Sequence, residues 1–210
     1  MPTTENILMV TLAGLALSAS PGPSMLYILS RSIGQHRRAG LFSAAGLAVG
    51  GILHAVAAAA GLSVLVSYYP AVYRAIAVCG ALYLIYLGVQ IYRSRNERLG
   101  GPVSVRPDSD LRVFVQGIVV EVLNPKTALF FIAFLPQFIN HDADGVMLQV
   151  LVLGMLIPLT AVPSDLLVAF TGGTVARRIS DNDKVRRTLN ILAAVLLIGL
   201  GLRLFVSDFA

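Results

Sequence analysis

Two short stretches carry residues that could do chemistry in unusual company. SPGPS holds Ser20, Pro21, Gly22, Pro23 and Ser24, and LNPKT places Asn124, Pro125, Lys126 and Thr127 inside an otherwise apolar run. Proline removes a backbone donor and breaks the helical ladder. A lysine in hydrocarbon costs about 2.5–3.5 kcal/mol on insertion scales, so it needs a function or a partner. A helix that restarts within a bilayer presents unpaired N–H groups and the positive end of its dipole, which together make an anion site. Pro23 and Pro125 suit a first helical turn, where no N–H is required. Gly22 permits close backbone approach, while Ser20, Ser24 and Thr127 can donate side-chain hydrogen bonds. A carboxylate-bearing small molecule fits this chemistry, which makes Ser20–Ser24 and Asn124–Thr127 the candidate binding residues. Asn124 could equally act locally, as a cap on the restarted helix.

Three further groups could carry protons. Glu121 lies five residues before Lys126, near the end of the preceding half-helix. It is either a proton carrier or the ionic partner of Lys126, and the sequence supports both. Asp165, in VPSDLLVAF, could accept a substrate ammonium or relay protons; pairing with Arg177 or Arg178 is the competing reading. His54 titrates in the useful range, against a simpler role as a hydrogen-bonded packing residue. Gln116 and Gln137 suit polar contacts between helices.

The elements that must position these groups are membrane helices. The chain has 210 residues, 56% hydrophobic and 13% charged, where a soluble domain carries about a quarter charged residues. Apolar segments of the required length of roughly 20 residues recur at about 7–33, 41–67, 70–92, 113–139, 146–172 and 188–206. The first is too long, and its leader MPTTEN too poor in Lys and Arg, for a removable signal. Loops one, three and five hold thirteen of the sixteen Lys and Arg residues; Arg74 goes with the second loop, Arg203 falls near the C-terminus, and Lys126 belongs to no loop. The positive-inside rule then places both termini outside the cytoplasm, and it accounts for the net charge of +5 without nucleic acid.

The linker RSRNERLGGPVSVRPDSD, residues 93–110, separates residues 1–92 from 111–210 within a single transmembrane domain. Each half has three spans and opens with one interrupted by proline, Pro23 and Pro125 being 102 positions apart. An odd number of crossings inverts the second copy. The expected fold is therefore an all-α membrane protein of six transmembrane helices in a 3+3 inverted repeat, with helices 1 and 4 broken at PGP and NPK. Paired broken helices in inverted halves point to a transporter site near the midplane. GLAVGG, with Gly46 and Gly50 in small-xxx-small spacing, suits internal packing or a homodimer contact. Pro158 and Pro163 predict a bend in the fifth span.

SPGPSMLYILSRSIGQHRRAGLFSAAGLAVGG and EVLNPKTALFFIAFLPQFI together resemble the lysine exporter and homoserine/threonine exporter (LysE/RhtB) family of bacterial inner-membrane transporters. The resemblance covers nearly the whole chain in length, span number and placing of both motifs. It implies efflux of an amino acid or close derivative, driven by the proton motive force. A metal-cation exporter of the same architecture is the alternative, although Glu121, Asp165 and His54 are few ligands spread over three spans. An enzyme finds no support: Cys79 is the only cysteine, which excludes a dithiol relay, and no hydrolase triad spacing occurs. No nucleotide-binding loop, cofactor motif or metal motif is present in the sequence.

Overall fold

The computed structural model describes residues 2–19, 22–68, 70–93, 107–140, 145–171 and 182–209. These residues are helical throughout, with no strand among them. The helices are α1 (Thr4–Ala19), α2 (Pro23–Gly34), α3 (Arg37–Tyr68), α4 (Pro70–Arg93), α5 (Asp110–Val122), α6 (Pro125–Ala133), α7 (Val146–Phe170) and α8 (Asp183–Phe209), with a 3-10 turn at Leu135–Phe138. Most of the linker at 93–110, together with Ser20, Pro21, Arg177 and Arg178, lies outside the described residues.

The helix starts follow from proline sterics. A residue before proline is pushed out of the α region. Asn124 (φ −71°, ψ 108°) and Gly22 (φ −156°, ψ −178°) are both extended, and α6 and α2 begin at the next residue. α1 with α2, and α5 with the segment from Pro125 to Phe138, each meet at 49°. α7, by contrast, runs as one helix through Pro158 and Pro163. Its entry is turned by Gly145, whose φ of 81° is a left-handed conformation that glycine adopts without penalty.

α3 packs chiefly on α5 and α7, and α4 chiefly on α8. The α3–α5 contact is built from small residues. A Cβ on Gly46 would collide with the Phe114 carbonyl oxygen, one on Gly117 would stand 2.9 Å from the Ser43 oxygen, and one on Gly50 would stand 2.5 Å from Glu121 Cβ. Gly46 and Gly50 of GLAVGG thus serve close packing within the chain. Phe130, Phe134 and Phe138 form an aromatic ladder, with ring centroids 4.4 and 4.6 Å apart, inside the main core.

The outer surface is apolar where a soluble protein would be charged. Leu111, Leu159, Leu192 and Val195 are each more than 60% exposed. Such a surface suits hydrocarbon rather than water. Among the described residues, two helices, over Arg37–Gly61 and Val146–Phe170, are each long and apolar enough to cross a membrane, and the two bent pairs qualify when each is taken as one span.

Candidate functional site

The ends of α1 and α5, the starts of α2 and α6, and the middles of α3 and α7 enclose one cavity. About 70 Å³ of it is open to the centres of water molecules. A single water needs roughly 10–15 Å³ on that measure, so the space holds several waters or a compact ligand. Of the candidates from the sequence, Gly22, Ser24, Asn124, Lys126, Thr127, Glu121 and Asp165 reach the wall. Pro23 and Pro125 act one step back, by fixing where α2 and α6 begin. Ser20 and Pro21 lie outside the described residues.

Glu121 is buried and held from two sides. Ser24 Oγ donates a short hydrogen bond to Oε2, and Thr127 Oγ1 donates to Oε1 at 2.8 Å. Asn124 Nδ2 in turn donates to Ser24 Oγ at 2.9 Å. The direction of this chain is fixed by the backbone: Asn124 Oδ1 accepts from the Lys126 N–H at 3.1 Å, so its amide nitrogen must face Ser24. Asn124 is therefore the N-cap of α6 and a link to α2 at once. Ser24 and Thr127 thus donate to the carboxylate, and Asn124 donates to Ser24.

His54 braces the same residue from α3. Its Nε2 lies 3.0 Å from the Glu121 carbonyl oxygen. A carbonyl only accepts, so Nε2 carries the proton and donates. The ring stacks on Phe131, with centroids 5.5 Å apart and planes 19° from parallel. His54 itself is not part of the cavity wall.

Lys126 reaches across to α1, where its Nζ donates to the Leu17 carbonyl oxygen at 2.7 Å. Gly22 faces the same side chain: a Cβ there would lie 3.5 Å from both Lys126 Cδ and Nζ. That is ordinary contact distance, and the Gly22 backbone is extended, a conformation open to any residue. What glycine gives this position is room beside the ammonium. The two helix starts also differ. The first amide of α6 is capped by Asn124, whereas α2 begins after Gly22, which has no side chain with which to cap. α2 thus starts without a side-chain cap, and the Lys126 ammonium lies beside that start.

Asp165 reaches the wall from α7 and makes no hydrogen bond or ion pair among the described residues. The ion pairs in that set lie elsewhere. Arg31, 7% exposed on α2, donates to Asp108 at 3.0 Å and to Gln116 Oε1 at 2.6 Å; Arg112 donates to Asp108 at 3.1 Å; Arg38 pairs with Asp110 at 2.7 Å. Tyr27 Oη adds a bond to the Val113 carbonyl at 2.8 Å. This cluster ties the end of α2 to the entry of α5. In sequence Arg31 is marked only as a loop cation, because partners 77 and 85 positions away leave no local pattern. Gln116 joins helices as its composition suggested. No group of three or more His, Cys, Asp or Glu side chains suited to a metal occurs among the described residues.

Comparison with known proteins follows the same outline. The profile of the LysE type translocator family matches residues 15–208. A leucine efflux protein of an Enterobacter species is 29% identical over 88% of this chain and 87% of its own length. The leucine efflux protein of Salmonella typhimurium is 26% identical over the same shares. An uncharacterized membrane protein of Bacillus subtilis, YrhP, is 27% identical over 89% of this chain and 92% of its own. No solved structure matches the chain.

Proposed function

The chain belongs to the LysE type translocator family, and from that premise we propose that it exports an amino acid or close derivative across the bacterial inner membrane, driven by the proton motive force. The observation that carries the reading is the cavity in which Lys126, the open start of α2 and the Glu121 clasp converge. The substrate carboxylate docks against the Lys126 ammonium and the first amides of α2, displacing the Leu17 carbonyl as the ammonium's partner. In a water-poor site such a charge-assisted bond is strong and its loss costly. The names of the leucine efflux relatives support an amino acid as cargo.

The architecture we propose is six spans in a 3+3 inverted repeat, α1–α2 and α5–α6 each forming one broken span. The bent pairs support it, as does the recurrence of the proline motifs 102 positions apart. Glu121 is the proposed proton carrier. Protonation would turn one of its oxygens from acceptor to donor and oblige Ser24 or Thr127 to reorient, which loosens the tie between α2 and α6. Both termini lie outside the cytoplasm on this reading.

Efflux from proteoliposomes loaded with single amino acids, with and without an imposed pH gradient, tests the proposal. Gradient-dependent export of at least one amino acid is expected. Export of none, alongside transport of a divalent cation, would replace the reading with the metal-cation alternative.

A further inference from the structure

The cavity is unbalanced in charge. Its described wall holds one cation, Lys126, and two carboxylates, Glu121 and Asp165. Glu121 is already satisfied, since both of its oxygens accept hydroxyl donors from Ser24 and Thr127. Asp165 is the remaining acid, and among the described residues nothing donates to it. It approaches from α7, whereas Lys126 and the α2 start belong to α6 and α2, and the apolar part of the same wall includes Leu47, Phe131 and Ile157. Asp165 is half-buried; a carboxylate partly withdrawn from water and left without donors is costly, and a ligand that brings donors lowers that cost.

We propose that Asp165 is the ammonium-binding subsite of this cavity, so that the ligand is selected as a zwitterion with an apolar side chain: carboxylate at Lys126 and the α2 start, ammonium at Asp165, side chain along Leu47, Phe131 and Ile157. The inference rests on the amino-acid reading above and adds to it a residue and a rule of selection. An α-amino acid presents three N–H donors to Asp165. Its 2-hydroxy analogue keeps the carboxylate and the side chain but offers a neutral hydroxyl. Asp165 is thus a specificity-determining residue, distinct from the carboxylate anchor.

The test is equilibrium dialysis of radiolabelled leucine and radiolabelled 2-hydroxy-4-methylpentanoate against the purified full chain in detergent. Wild type should bind leucine more tightly than the hydroxy acid. Asp165→Asn should weaken leucine by about thirtyfold or more, as loss of one partner of a buried charge pair does, while the hydroxy acid stays within about threefold. Lys126→Met should weaken both. If Asp165→Asn leaves leucine binding intact, Asp165 is no ammonium site and a proton role replaces it. If it weakens both ligands equally, the residue is structural and the proposal is overturned. If wild type binds neither ligand, the selection rule is overturned, and export of no amino acid from the proteoliposome panel is what separates that from failure of the amino-acid reading itself.

Discussion

Lys126 Nζ and the Leu17 carbonyl oxygen are joined at 2.7 Å, across 109 positions of sequence. Leu17 lies in the last turn of α1, where carbonyls have no helical partner and the dipole is negative. The ammonium thus closes the end of one helix, while its own backbone N–H is closed by Asn124 at the start of another. One residue thus bonds both to the end of α1 and to the N-cap of α6.

From this follows the first prediction. Lys126→Met keeps much of the volume and removes the charge, so export should fall by about thirtyfold or more at limiting substrate. Lys126→Arg should recover little, because a planar fork does not replace a compact ammonium beside Gly22. Initial efflux rates from proteoliposomes decide the matter. Wild-type rate and affinity in Lys126→Met would remove the carboxylate anchor from the mechanism.

Glu121→Gln addresses the clasp. A carboxamide offers one acceptor oxygen and an NH2 donor where Glu121 offers two acceptors, so the hydroxyl of Ser24 or of Thr127 must turn from donating to accepting. If Glu121 carries the coupling proton, the variant should exchange substrate across the bilayer yet no longer respond to a pH gradient. Counterflow and gradient-driven efflux, measured on the same preparation, separate the two. Retained coupling would assign Glu121 to structure alone.

Orientation is tested without any transport assay. Reporter fusions at 34–40, 95–110 and 178–186 should report the cytoplasm, and fusions at 140–145 the opposite side. The basis is the distribution of Lys and Arg among the loops. A cytoplasmic signal at 140–145 would remove both the orientation and the inverted repeat.

The glycines of α3 and α8 give a paired stability test. Gly50→Ala puts a Cβ 2.5 Å from Glu121 Cβ and should destabilise by about 1–3 kcal/mol, the usual cost of overpacking. Gly199→Ala meets nothing within 4 Å and should stabilise α8 by up to about 1 kcal/mol through helix propensity. Thermal unfolding in one detergent compares them. Equal midpoints for the two variants would contradict the α3–α5 packing.

Local chemistry was legible in the sequence, and long-range pairing was not. Proline sterics act on adjacent residues, so the starts of α2 and α6 at Pro23 and Pro125 could be read directly. Small-residue spacing likewise marked Gly46 and Gly50 as close-packing positions. The Glu121 clasp could not be foreseen, since Ser24 lies 97 positions away and serine has no spacing rule that names a partner. The sequence left Glu121 between proton carriage and pairing with Lys126; the structure adds two hydroxyl donors to its carboxylate. The bend expected at Pro158 and Pro163 left α7 assigned as a single helix, because packing on α3 and α1 supports a ladder that lacks two donors.

The last prediction concerns Asp108, outside the spans. Burial pushes its carboxyl upward, but hydrogen bonds and charge from Arg31 and Arg112 outweigh that and hold it below the usual carboxylate range. A group with a depressed folded value stabilises the fold above its unfolded pKa of about 3.9, and that contribution is lost as pH falls through the folded value. Wild type should therefore melt above Asp108→Asn at pH 7, and the gap should close as the pH is lowered below about 4. Because Arg31 spans from α2 to this residue, the same substitution should free the end of α2, seen as faster hydrogen exchange around residues 28–34. A melting gap that is constant from pH 7 to pH 3, or absent at pH 7, would show that the Asp108 charge does not hold α2 to α5.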